Sequence, residues 1–344
     1  MASAFPPHYY RQEQIAAALR LHWADGLDSP QAFDRLLSRV GIDGRFLSLP
    51  LEEYDRLSGW GDANNHWIEV AEELGQQALC RALSRAGLTT DNLGALFFTS
   101  VTGIASPSID ARLINRLGLP RNIKRVPIFG LGCVGGAAGV ARAADYVRAY
   151  PDQVAALLSV ELCSLTWQRG DTSVANIIAS GLFGDGAAAA LINGSNCETL
   201  GPEIIATRSS FYPGTQEVMG WDISEKGFQI VLSPDVPKVI QCYLAKDVDE
   251  FLADHDLTRA EIGTWIMHTG GPKVLEATAA ALNLPENALD VSWRCLRKLG
   301  NLSSASVLLV LEEFLHHRRP ASGMYGIMAA MGPGFCAELL LLRW

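Results

Sequence analysis

A chain of 344 residues, 49% hydrophobic and 19% charged, has enough apolar material for a large core in one big or two fused domains, which excludes a disordered protein. A net charge of −9 with no Lys/Arg cluster argues against nucleic acid or an anionic membrane as the main partner. The seven scattered cysteines (Cys80, Cys133, Cys163, Cys197, Cys242, Cys295 and Cys336) contain no C-x-x-C pair, which predicts reduced thiols in the cytoplasm and no zinc site.

Met1 to Pro7 lacks the basic n-region of a signal peptide and begins close to a strand end, which leaves room for a short strand upstream. Gln12 to Trp23 is an amphipathic helix candidate. Pro30 to Val40 is another, opened by the cap and first-turn pair Ser29-Pro30. Asn65 to Ala86 carries Ile68, Ala71, Leu74, Ala78 and Ala82 on one helical stripe. Leu93 to Val101 is almost continuously apolar and reads as a buried strand. Ser108 to Leu117 is a short helix, Lys124 to Phe129 the next strand, and strands follow at Gln153–Val160 and Gly186–Ile192. The second half replays this order. Ala260 to His268 ends in a strand, Pro272 to Leu282 is a helix, and Val291 to Trp293 is extended. Asn301 to Phe314 is a helix, followed by strands Gly323–Ala330 and Phe335–Leu342. His316 to Arg319, the one basic knot, reads as a helix C-terminus before Pro320. No apolar run reaches the length of a membrane span. Two α/β halves, residues 1–200 and 201–344, with no low-complexity linker between them, predict an internally duplicated, layered α/β fold around a shared core.

Three stations along this order carry chemistry. Cys133 sits in Gly130-Leu131-Gly132-Cys133-Val134-Gly135-Gly136, a strand-to-helix turn, where free N–H groups and the helix dipole favour thiolate. A buried structural cysteine reads equally well from that stretch alone. His268 follows a strand and precedes Gly270-Gly271-Pro272, which clears side chains away from the ring. Asn301, taken alone, is a good N-cap. Together the three fit a nucleophile with an imidazole and an amide that donate to a developing oxyanion. A cysteine protease uses the same residue types, but no protease signature surrounds Cys133.

The sequence resembles the type III polyketide synthases, the chalcone-synthase-like branch of the thiolase fold. The matching words are Gly132-Cys133-x-Gly-Gly, Glu161-Leu162-Cys163-Ser164, Leu182-Phe183-Gly184-Asp185-Gly186, Trp265 to Pro272, Gly300-Asn301-Leu302-Ser303-Ser304-Ala305 and Gly332-Pro333-Gly334-Phe335. The resemblance implies a thiolase-like fold with a duplicated αβαβα five-layered architecture, and an acyltransferase that condenses malonyl-CoA onto an acyl-CoA starter. It implies that Cys133 holds the chain as a thioester, that His268 and Asn301 stabilise the enolate left by decarboxylation, and that no metal or other cofactor is needed. Phe183 matches the aromatic residue beside the cysteine. Ile230 stands where plant members carry a second gating phenylalanine. Arg35, Arg39 and Lys273 are the implied CoA contacts, with Ala32 replacing a third basic position. Homodimers are implied, with the loop from Ile104 through Ser106 to Pro107 reaching the partner's cavity.

The wording around Val160 to Thr166 and around Phe211 to Asp222 resembles bacterial members that extend long fatty acyl starters into alkylpyrones or alkylresorcinols. On that reading Cys163 and Thr166 line an acyl tunnel. Two alternatives share the same residues: a condensing enzyme of the β-ketoacyl-acyl-carrier-protein synthase III type, and a non-catalytic scaffold on the thiolase fold.

Overall fold

The computed structural model describes all residues except Asp25, Asp28, Thr199 and Leu200, so the expected boundary at residue 200 lies outside the described residues. The first half comprises β1 (Ala2–Ala4), β2 (His8–Arg11), α1 (Gln12–His22), α2 (Pro30–Ser38), β3 (Gly44–Leu47), α3 (Trp60–Arg85) and β4 (Leu93–Thr99). It continues through α4 (Ile109–Leu117), β5 (Lys124–Ile128), α5 (Gly135–Ala149), β6 (Val154–Leu162), α6 (Val174–Leu182) and β7 (Asp185–Asn193). The second half contains β8 (Glu203–Phe211), β9 (Met219–Ser224), β10 (Gly227–Leu232), α7 (Val236–Ala253) and β11 (Ile262–Met267). After these come α8 (Pro272–Leu282), α9 (Asp290–Leu299), α10 (Ser304–His317), β12 (Tyr325–Gly332) and β13 (Cys336–Arg343).

Duplication is explicit in the sheets. In the first, β4 and β6 are parallel, β7 is antiparallel to β6, and β1 is antiparallel to β7. In the second, β11 and β12 are parallel, β13 is antiparallel to β12, and β8 is antiparallel to β13. The order β1-β7-β6-β4 is therefore repeated, sense for sense, as β8-β13-β12-β11, with β5 added beyond β4. Helices α5 and α10, each leading into the second strand of its parallel pair, are the equivalent elements.

Strand alternation divides the apolar residues among three cores. Leu96, Phe98, Leu158 and Val160 face Ala71, Leu74 and Ala78 of α3, whereas Ala95, Phe97, Ala155 and Leu157 face the middle layer. Likewise Leu340 and Leu342 turn inward, while Leu339 and Leu341 pack against Leu244 and Val248 of α7 and Leu275 of α8. The layers are thus α3, sheet, α5 with α10, sheet, α7 with α8. This is the expected five-layered thiolase-like arrangement. The two middle helices touch closely: a Cβ built on Gly136 would lie 2.1 Å from the Ser304 carbonyl oxygen.

Several elements depart from the sequence reading. Val291 to Trp293 is the first turn of α9, not extended, because Val291, Ser292, Cys295 and Leu296 bury one helical face and Ser292 Oγ donates to the Met267 carbonyl at 2.8 Å. Helix α3 starts five residues earlier than expected and α10 three residues later. At the N-terminus, Ala2–Ala4 itself forms the edge strand of the first sheet.

Candidate active site

Cys133 sits on a single helical turn, Gly132–Val134, that runs directly into α5. The turn is pressed against the chain end: a Cβ on Gly132 would lie 2.7 Å from the Pro333 ring. The side chain is buried, with Sγ 3.6 Å from Ser303 Oγ. Burial pushes the thiol from its ordinary 9 up to about 12, while hydrogen bonds from Ser303 and Asn301 pull the other way. That rise corresponds to about 4 kcal/mol against the thiolate. A helix N-terminus returns at most ~2 kcal/mol. Burial of Cys133 therefore opposes the thiolate that the helix turn favours.

His268 is delivered by the end of β11, its N–H donating 3.0 Å to the Ala329 carbonyl of the neighbouring strand. Pro272 opens α8 four residues later, so the ring stands at a strand-to-helix turn as expected. The ring is buried, which lowers its pKa to about 4, and Nδ1 has no protein partner. Asn301 lies two residues before the cap of α10, so it is not the helix cap itself. Its Oδ1 accepts from the Ser303 N–H at 2.8 Å and from Ser306 Oγ at 3.3 Å. With that oxygen committed, the amide nitrogen is the end left for Cys133. Gly300, at φ 75°, makes the turn that brings Asn301 there, and a Cβ on it would lie 2.7 Å from the Leu182 carbonyl.

Cys133, His268 and Asn301 line one cleft, walled by Phe183, Met219, Ile240 and Phe335. Asn301 is tied to the Phe183 segment by two backbone hydrogen bonds, from its own N–H to Leu182 and from Gly184 to its carbonyl. Phe183 also borders a second, small pocket, lined by Cys163, Thr166, Trp167, Ser180, Trp221 and Ile230. Phe183, Cys163, Thr166 and Ile230 thus border the same pocket. Ser106 is exposed and borders neither cavity of its own chain. Arg35, Arg39 and Lys273 are exposed, and none pairs with a carboxylate among the described residues. Gly41 packs against Pro272, which brings the segments carrying Arg39 and Lys273 together. Lys273 lies between Pro272 and Val274, and Val274 lines the triad cleft.

Two functional positions escaped the sequence reading. Ser303, at φ 44°, holds a strained conformation for a non-glycine residue and puts its hydroxyl beside Cys133. Glu161, fully buried, accepts from Thr102 Oγ1 at 2.9 Å, Val101 N–H at 3.1 Å and the Ser304 hydroxyl. It ties the β4 end to the α10 entrance. A lone carboxylate in the run Val154–Leu162, apolar but for Ser159, was the available signal.

Residues 2–196 match the N-terminal domain model of the chalcone and stilbene synthases, and residues 203–344 match the C-terminal domain model of the same family. The chain is a type III polyketide synthase. It is 49% identical to the 1,3,6,8-tetrahydroxynaphthalene synthase of Streptomyces peucetius subsp. caesius, over 99% of this chain and 91% of that one. It is 30% identical to the phloroglucinol synthase of a Pseudomonas fluorescens strain, over 99% of this chain and 97% of the relative. The crystal structure of the Streptomyces coelicolor A3(2) 1,3,6,8-tetrahydroxynaphthalene synthase, a bacterial type III polyketide synthase, superposes with a TM-score of 0.94 at 30% identity, covering 100% of this chain and 97% of that one. As a type III polyketide synthase the chain is a condensing enzyme that joins malonyl-CoA units, with CoA thioesters as substrates and no further cofactor. Family membership sets aside the scaffold and the carrier-protein enzyme as readings of the whole chain. None of the described helices is long and apolar enough to cross a membrane.

Proposed function

We propose that Cys133 attacks the starter thioester, forming the new S–C bond as the C–S bond to CoA breaks, with the thiol proton leaving on the CoA sulfur. His268 and Asn301 then bind the thioester oxygen of malonyl-CoA. Carbon dioxide departs, the electron pair of the broken C–C bond passes into the enolate, and that oxyanion rests on the imidazole and amide N–H groups. The enolate carbon attacks the Cys133 thioester and expels the cysteine sulfur, and the lengthened chain returns to Cys133 for the next round. The single observation that carries this reading is the convergence of Cys133, His268 and Asn301 on one cleft. A neutral imidazole suits the role: with a pKa near 4 it offers an N–H without a net charge to attract water. Phe183 supplies an apolar wall where the carboxylate is lost, which favours the neutral product. Arg35, Arg39 and Lys273 hold the CoA phosphates outside. The enzyme works as a cytoplasmic homodimer, with Ser106 and its loop turned towards the partner.

For the starter, the small cavity beyond Phe183 and its tryptophan lining support a short, malonyl-derived primer and a polyhydroxylated aromatic product. The name of the 49%-identical relative supports the same choice: ten ring carbons with oxygen at positions 1, 3, 6 and 8 follow from five two-carbon units. The second reading is a long fatty acyl starter giving alkylpyrones or alkylresorcinols. The small side chains of Cys163 and Thr166 at the cavity wall favour it. Mass spectrometry of products made from malonyl-CoA alone, and from malonyl-CoA with acyl-CoA starters of graded length, decides between them. An aromatic product from malonyl-CoA alone is expected. Products that appear only with long acyl-CoA establish the second reading, and no product from any pair overturns both.

A further inference from the structure

We propose that Trp167 and Ser180 read the oxygen atoms of the growing chain, their indole N–H and hydroxyl hydrogen-bonding its carbonyl groups in the cavity beyond Phe183. This rests on the condensing reading above and assigns that cavity a chemical preference: a chain with a carbonyl on every second carbon, not an alkyl tail.

The polar groups on that cavity's wall divide into committed and uncommitted ones. Thr166 Oγ1 is committed, donating 2.7 Å to the Cys163 carbonyl. Asn176 is committed too, its Nδ2 donating 2.7 Å to Asp171 and 3.3 Å to Gln168 carbonyls. Of the buried nitrogen and oxygen atoms on that wall, two are left over. Ser180 Oγ and Trp167 Nε1 are buried and have no partner, although both residues line the cavity. Ser180 is 2% exposed. Buried donors without partners are rare because desolvation is uncompensated.

Both groups are also held still. The Trp167 ring packs on Tyr54 with centroids 4.7 Å apart. The carbonyls of Ser180 and Gly181 accept from the buried Arg45 guanidinium, which fixes the last turn of α6. An alkyl chain in this cavity leaves the two donors unsatisfied. A poly-β-keto chain satisfies them and is paid back by two hydrogen bonds, which also fixes how far it has advanced past Phe183.

The test uses Trp167→Phe, which keeps a ring and removes the N–H, Ser180→Ala, and the double variant, with malonyl-CoA as the only substrate. Three quantities are read: the rate of carbon dioxide release, the ratio of the longest product to shorter lactones, and the thermal midpoint. The expected result is carbon dioxide release within about twofold of wild type and a product ratio lowered roughly two- to tenfold per lost donor, at an unchanged or raised midpoint. An unchanged ratio in the double variant overturns the proposal. So does a parallel fall of release, ratio and midpoint, which makes the pair structural. Failure of the condensing reading shows differently: the wild-type enzyme itself then releases no carbon dioxide.

Discussion

Burial opposes charge on both Cys133 and His268. The consequence for stability has opposite sign at the two ends of the pH scale. His268 takes a proton near 6.5 in the unfolded chain but only near 4 in the folded one. Between those values the unfolded state binds the proton first, so stability falls as pH drops through that window, by about 3 kcal/mol in all. Cys133 loses its proton near 9 when unfolded and keeps it to about 12 when folded. Stability therefore falls as pH rises above 9, by about 4 kcal/mol across that window. Glu161 and Asp185, raised by burial, work against the acid loss, so the clean measurement is a difference between two proteins. Thermal midpoints of wild type and His268→Gln from pH 4 to 7 are expected to converge as pH falls, because the variant lacks the histidine's share of the loss. Parallel curves would contradict it.

At the scale of elements, the site depends on how closely α5 and α10 approach, since one carries the nucleophile turn and the other follows Asn301. Gly136 is the contact. A methyl there meets the Ser304 backbone at 2.1 Å, and no flexible side chain is available to yield. Gly136→Ala is expected to cost about 2–3 kcal/mol in chemical denaturation and to lower condensation more than decarboxylation, because it moves Asn301 relative to Cys133. An unaffected denaturation midpoint would show that the helices separate at no cost. This part of the site was legible in the sequence, since glycines and alanines around Cys133 and serines after Asn301 announce close packing. Much of the layered fold was legible for a similar reason: long apolar strands and striped helices keep their period whatever surrounds them. What was not legible depends on distant partners. Val291-Ser292-Trp293 has strand-like residue types, and only its packing onto β11 makes it a helix. Glu161 meets Ser304, and Ser303 meets Cys133, each across more than a hundred residues of chain. The desolvation of Cys133 was not legible either, because it is a property of the closed cleft and not of the helix turn.

For the whole molecule, a net charge of −9 repels the anionic CoA substrates the enzyme must gather, so a local basic rim has to offset the global field. Arg39 and Lys273 lie on neighbouring segments, and the Lys273 segment continues into the cleft wall at Val274. Arg39→Ala and Lys273→Ala are expected to raise KM for malonyl-CoA roughly three- to tenfold, with kcat unchanged, and the effect is expected to shrink at high salt. A fall in kcat with unchanged KM would remove both residues from the substrate path. On the proposed mechanism one cysteine of seven, Cys133, carries the chain. Peptide mapping by mass spectrometry after brief incubation with isotope-labelled malonyl-CoA tests it most directly. A labelled acyl group is expected on the Cys133 peptide, absent in Cys133→Ala, with Cys163 and Cys336 unlabelled. Label on another cysteine, or turnover that persists in Cys133→Ala, would contradict it.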